Sequence, residues 1–162
     1  MIFSLTGKGI CKRFQMPQYD QEKVVKLVSE LRASVGRLRE LSKLSPKKFL
    51  DDPDKIGSAK YHFIVAIESS IDMCNHVIAR NGYRVPEDYA DTFKVMNEAG
   101  AFDTDFSDGL VNMAKFRNRF VHLYWQIDND QVYEIIQTRL DDFKKFLDLL
   151  SEFLGWQNNH SV

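Results

Sequence analysis

The chain has 162 residues, of which 44% are hydrophobic and 28% charged, and a formal net charge of −1 at pH 7. That is enough apolar material for one domain with its own core and too little length for two. The near-zero charge excludes a global positive field that would draw in nucleic acid, so any polyanion binding must be local.

The first residues, Met1 to Gln15, place their charges behind a very short apolar piece and read as a poor signal peptide. Gly7-Lys8-Gly9 lacks the length and the following Lys-Ser/Thr of a phosphate loop and reads as tail, and Met16 is a candidate alternative start. We expect a tail over 1–18, a helical domain over 19–156 and a short tail over 157–162. Cys11 and Cys74 form neither a metal spacing nor a disulfide framework, which fits a reducing compartment. No stretch approaches the roughly 18 apolar residues of a membrane span, and the expected location is the cytoplasm.

From about Gln21 to Leu44, Val24, Leu27, Val28, Leu31, Val35, Leu38 and Leu41 recur at three and four residues and predict a long amphipathic helix. Gly36 within it is a candidate close helix contact. Ser45-Pro46 stops that helix, and Asp51-Asp52-Pro53-Asp54 supplies a turn and candidate N-caps. A second helix follows from about Asp54 to Arg80, apolar along Ile64, Ile67, Ile71, Cys74 and Ile78. Beside that face runs a polar stripe of Glu68, Asp72, Asn75 and His76, which can be a solvated face, the lining of a cleft, or part of a metal site that no second cluster completes. His62 stands apart and reads as surface.

Asn81-Gly82 ends the second helix on a left-handed residue. Pro86 fits the first turn of a shorter third helix with Tyr89, Phe93 and Met96 inward and Gly100 as its stop, and Thr104 or Asp105 caps a fourth. After the polar turn Asp128-Asn129-Asp130, one fifth helix is predicted from Gln131 to Leu154, with Val132, Ile136, Leu140, Phe143, Leu147, Leu150 and Leu154 as a bundle seam. No alternating strand pattern, internal repeat or low-complexity linker interrupts this series. The expected fold is an all-α antiparallel bundle of about five helices.

The fourth helix runs into Phe116-Arg117-Asn118-Arg119-Phe120-Val121-His122-Leu123-Tyr124, which joins a cation, an imidazole and a phenol at short spacing inside a segment that otherwise reads as buried helix. On an ideal helix Leu110, Met113, Phe116 and Phe120 share one side, and Arg117 and Tyr124 fall on it too. A guanidinium cannot shed its charge, so an unpaired one in a core costs more than one helix's packing returns. The seam is therefore expected to line a cleft or a subunit interface. His122, five residues past Arg117, points about 140° away on an uninterrupted helix. Either the helix loosens after Phe120, or the two residues act together only when a second copy supplies its own pair. Lys115, Arg117 and Arg119 offer a local basic patch, a candidate polyanion-binding surface that a symmetric dimer would double.

With the helices placed, the chain from about Tyr19 to Trp156 resembles HEPN-domain proteins of the HepT-like class, the toxin half of HepT/MntA-type toxin–antitoxin pairs. The resemblance rests on Arg117-x4-His122-x-Tyr124 followed by Ile127-Asp128 and Val132-Tyr133, and on the stretch from Ala66-Ile67-Glu68 to Asn75-His76. It implies a homodimer whose two Arg-x4-His motifs face each other in a cleft and cut RNA without a metal or cofactor. By the same resemblance Arg117 and His122 are the catalytic pair, Asn118 orients them, and Tyr124 is the hydroxyl that a cognate MntA-like nucleotidyltransferase antitoxin adenylylates. Glu68, Asp72, Asn75 and His76 become candidate cleft residues.

These residue types suit that chemistry. An attack by the ribose 2′-OH needs a proton acceptor and donor near neutral pH, the ordinary range of an imidazole, and a permanent cation for the phosphorane. Two readings from other classes stand beside it. One is a non-catalytic helical module that docks a nucleotidyltransferase or another partner through the same cleft. The other is a plain structural dimer in which Arg117 is paired with Glu68 or Asp72.

Overall fold

The computed structural model describes residues 15–156. Among them are seven α-helices, one 3-10 turn and no strand: α1 (Gln21–Ser42), α2 (Pro46–Leu50), α3 (Pro53–Asn81), α4 (Tyr89–Glu98), α5 (Thr104–His122), the turn Tyr124–Gln126, α6 (Asn129–Thr138) and α7 (Leu140–Leu154). The readings of Gly7-Lys8-Gly9 and Cys11 lie outside the described residues.

The longest helix, α3, is the axis of the bundle. It carries α1 along one side and α4, α5 and α6 along the others. Its apolar residues Phe63, Ala66, Ile67, Ile71, Cys74 and Val77 are all at most 2% exposed. Burial pushes the Cys74 thiol well above its ordinary range, so this sulfur is a packing group rather than a nucleophile. The opposing stripes of α1, α6 and α7 close the core, with Leu31, Leu38, Val132, Ile136, Phe143 and Phe146 at or below 2% exposure.

Seven helices replace the expected five for two local reasons. Ser45 and Pro46 do more than stop α1: the Ser45 hydroxyl accepts from the Lys48 N–H and Pro46 takes the first helical position, so a one-turn α2 starts where a loop was expected. It drops Phe49, fully buried, into the core. The predicted fifth helix is two helices: α6 ends at Thr138, Arg139 (φ −119°, ψ −1°) caps it, and α7 starts at Leu140. The seam residues from Val132 to Leu154 nonetheless all face inward.

Smaller corrections follow from capping. Asp103, not Thr104 or Asp105, caps α5 by accepting from the Phe106 N–H at 2.8 Å. Asp88 caps α4, so Pro86 lies before that helix rather than in its first turn, and Tyr89 is 46% exposed instead of inward. Gly36 faces solvent with no atom within 4 Å of its would-be Cβ and marks no helix contact. His62 is half-buried and bridges α3 to α1 through the Ser34 hydroxyl at 3.3 Å, so it is not a free surface residue. Ahead of α1, the Gln18 backbone and the Asn81 side-chain amide exchange hydrogen bonds of 2.8 and 2.9 Å.

Candidate active site

The site is built where α5 ends. Helical geometry is unbroken through His122, so the loosening after Phe120 that the Arg117–His122 spacing allowed does not occur. The two side chains therefore leave the helix about 140° apart. At Leu123 the backbone turns out of the helix (φ −129°, ψ 37°), its N–H still bonded to the Arg119 carbonyl at 2.8 Å. Buried Ile127 then draws the chain back to the core, and Asp128 caps α6. Tyr124 sits in the intervening 3-10 turn, so it does not continue the Arg117 side of α5 as an ideal helix would have it.

Phe120, 1% exposed, is the wedge that fixes this helix end. It stacks on Phe63 of α3 at 6.0 Å between centroids and meets Phe116 edge-on at 4.4 Å. With Phe120 inward, Arg117 lies against the α3–α4 side and His122 faces solvent.

Arg117 is nearly enclosed, its side chain 12% exposed. It forms an ion pair with Glu68 of α3, donates from Nη1 to Asn118 Oδ1 at 3.2 Å, and lies 5.0 Å from the centre of the Tyr89 ring. These contacts answer the cost of placing a guanidinium on an apolar seam. One nitrogen is left without a partner: the Arg117 Nε–H is buried and bonds to nothing among the described residues. Asp72, one turn beyond Glu68, makes no ion pair among the described residues; partial desolvation and then the Glu68 charge push its carboxyl above the usual range.

The polar stripe of α3 thus divides. Glu68 touches Arg117 and Asp72 senses it, but Asn75 accepts from the Thr92 hydroxyl at 3.2 Å and His76 Nε2 accepts from the Asp20 N–H at 2.8 Å. At 1.5 Å rise per residue those two stand roughly 10 Å up the helix from Glu68. They tie down α4 and the start of α1 rather than line a cleft with Arg117. His76 is 8% exposed, and burial and then nearby Lys23 and Arg80 hold its imidazole below the ordinary value. No cluster of three or more His, Cys, Asp or Glu suited to a metal occurs among the described residues. Lys115 and Arg119 are exposed, Arg119 with its guanidinium 5.7 Å from the Phe116 ring centre.

Sequence reasoning missed Lys60. It is 5% exposed, donates from Nζ to the Tyr124 carbonyl at 3.3 Å, and stands 4.5 Å from the centre of the Tyr124 ring. A signal was present: Lys60 replaces an apolar residue in the stripe Ile56, Lys60, Phe63, Ile67, stepping by four, three and four. Exposed apolar side chains gather at the same end. Val121, Leu123, Tyr124 and Trp125 are 45%, 39%, 44% and 77% exposed, a run that a monomer rarely leaves to water.

The site thus consists of Arg117 within the fifth of seven helices, His122 at its last position and Tyr124 in the 3-10 turn beyond it. The fold of a tri-AMPylated Shewanella oneidensis HEPN toxin, solved in complex with its MNT antitoxin, superposes with a TM-score of 0.76 at 22% identity, covering 82% of this chain and 99% of that one. The cytosolic protein YutE of Bacillus subtilis, of unknown function, superposes with a TM-score of 0.73 at 15% identity over 91% of this chain and 99% of its own. The family model for Ribonuclease HepT-like proteins matches residues 31–150, and the chain belongs to that family. The mRNA nuclease HepT of Shewanella oneidensis is 30% identical over 83 residues, which span 51% of this chain and 62% of that protein. No helix among the described residues is long and apolar enough to cross a membrane.

Proposed function

We propose that this chain is a metal-independent endoribonuclease, the toxin of a toxin–antitoxin pair, acting in the cytoplasm as a homodimer and silenced when an MNT-type nucleotidyltransferase adenylylates Tyr124. The observation that carries this reading is that α5 stays helical through His122. Arg117 and His122 of one chain diverge, so a shared site needs a second copy to bring its own pair across. The exposed run Val121 to Trp125 lies at the same helix end and supports an interface there.

In this site the Arg117 guanidinium holds the scissile phosphate. The spare Nε–H supplies one donor, and Nη2 another once phosphate displaces the Glu68 carboxylate. His122, in water at the helix end, takes the 2′-OH proton or returns one to the departing 5′-oxygen. Asn118 keeps the guanidinium plane oriented. The 2′-oxygen bonds to phosphorus, the 5′-oxygen leaves, and no metal takes part. Expressing the chain alone beside His122→Ala, and following growth and total RNA on a gel, tests the reading. Arrest and RNA loss with the wild type only support it. No difference between the two moves a non-catalytic docking module to the front.

Tyr124→Phe should keep the toxicity and lose the modification. When the variant is co-expressed with an MNT-type nucleotidyltransferase, intact mass should show no added AMP and growth should not recover. Added AMP on that variant would refute the acceptor assignment.

The Arg117–Glu68 ion pair gives weight to a second reading, in which the cation only holds α5 against α3. Glu68→Gln separates them. A carboxylate competing with phosphate for one guanidinium, half-open to solvent, is worth about 0.5–1 kcal/mol, so an uncleavable 2′-deoxy-substituted oligonucleotide should bind roughly 2- to 5-fold tighter to the variant. Lower stability with unchanged oligonucleotide binding would favour the structural role.

A further inference from the structure

The ribonuclease reading gives Lys60 no task, yet its placement is costly. An ammonium loses much of its hydration on burial, a cost that stands unless its donors are matched. Lys60 offers three N–H donors, and among the described residues it meets only the Tyr124 carbonyl at 3.3 Å and the face of the Tyr124 ring. No carboxylate among the described residues offsets the charge, and burial pulls its pKa below the ordinary lysine value. One turn earlier on the same face of α3, Gly57 has no side chain, and the Tyr124 hydroxyl lies 3.6 Å from where its Cβ would be. The phenol therefore lies along a strip of α3 that is bare beneath the hydroxyl and positively charged beside the ring.

We infer that the Gly57–Lys60 strip is the receiving site for a phosphodiester carried by the Tyr124 hydroxyl. This rests on Tyr124 being the adenylylation acceptor. In that step the phenol oxygen bonds to the α-phosphorus of ATP, pyrophosphate departs with the electron pair, and the phenol proton goes to solvent. The new diester carries one negative charge into a place that already holds an underused cation. Gly57 leaves room for the diester, and the free Lys60 donors turn to it. Lys60 is a positioning residue: the modified turn is pinned to α3 two residues from His122, so adenylylation fixes the helix end as well as crowding it.

A double-mutant cycle with p-carboxymethylphenylalanine, a stable anionic stand-in, incorporated at position 124 tests this without the antitoxin. The partner substitutions are Lys60→Gln, which keeps a donor for the Tyr124 carbonyl but no charge, and Lys60→Arg, which keeps both. Denaturant unfolding should show the anion tolerated with Lys60 and Lys60→Arg but destabilising with Lys60→Gln. The expected coupling is about tenfold in the folding equilibrium constant. Should Lys60→Gln fail to fold, the salt dependence of the anion's effect in the Lys60 and Lys60→Arg proteins gives the same answer. Additive effects, or an anion effect independent of salt, would overturn the proposal. The acceptor assignment fails separately, by absence of AMP on the wild-type chain after incubation with an MNT-type nucleotidyltransferase and ATP. That result would remove the proposal's premise whatever the coupling.

Discussion

His122→Ala is expected to slow RNA cleavage roughly 10²- to 10⁴-fold, the usual contribution of one positioned proton-transfer group, with no measurable loss of stability. The clean separation comes from where the residue sits. His122 is the last residue of α5, exposed, outside the core and not its capping group. Its removal should leave the circular dichroism spectrum and the unfolding midpoint in place. Arg117→Ala should slow cleavage about 10²- to 10³-fold, as expected for loss of a group stabilising transition-state charge. It should also cost stability, since it deletes the contact with the Tyr89 ring and leaves Glu68 unpaired beside Asp72. Single-turnover cleavage of a short single-stranded RNA, read beside denaturant melts, checks both. Cleavage by either variant at the wild-type rate would end the catalytic assignment.

Phe120→Ala carries the largest expected effect on stability, about 3–5 kcal/mol, a large share of what a domain of this size has in total. The ring is 1% exposed and packs between Phe63 and Phe116, so neighbours cannot close the gap without shifting α5 against α3. Activity should fall further than the folded fraction does. Arg117 and His122 flank Phe120 in sequence and depend on its burial for their directions. Chemical denaturation gives the stability loss, and cleavage measured at a temperature where the variant is still folded gives the rest. Leu at this position should recover part of both.

Much of this was legible in the sequence because it depends on periodicity. The stripes of α1, α3 and α7 are long and regular, and burial follows them at every named residue but Val35 and Ile64, which are partly buried. The Arg-x4-His-x-Tyr spacing was legible as well, and so was the pairing of Arg117 with Glu68 as one of two candidate carboxylates. What escaped depends on contacts far apart in the chain or on single backbone bonds. Lys60 and Tyr124 are 64 residues apart, and no local pattern links them. The break at Arg139 leaves the seam's four-and-three period intact, so the pattern does not announce it. Asn75 and His76 looked like cleft residues because they share a stripe with Glu68, but a stripe is longer than a site.

The exchange of hydrogen bonds between Gln18 and Asn81 also bears on how the protein can be handled. It fixes the lead-in to α1 at the C-terminal end of α3, while Gly57 and Lys60 lie near the other end. Twenty-four residues of helix separate Gly57 from Asn81, about 36 Å at 1.5 Å each. An affinity tag or fluorophore joined ahead of Gln18 is thus held at the far pole of the molecule. Surface immobilisation through that end would leave the Tyr124 turn open to RNA and to a modifying enzyme.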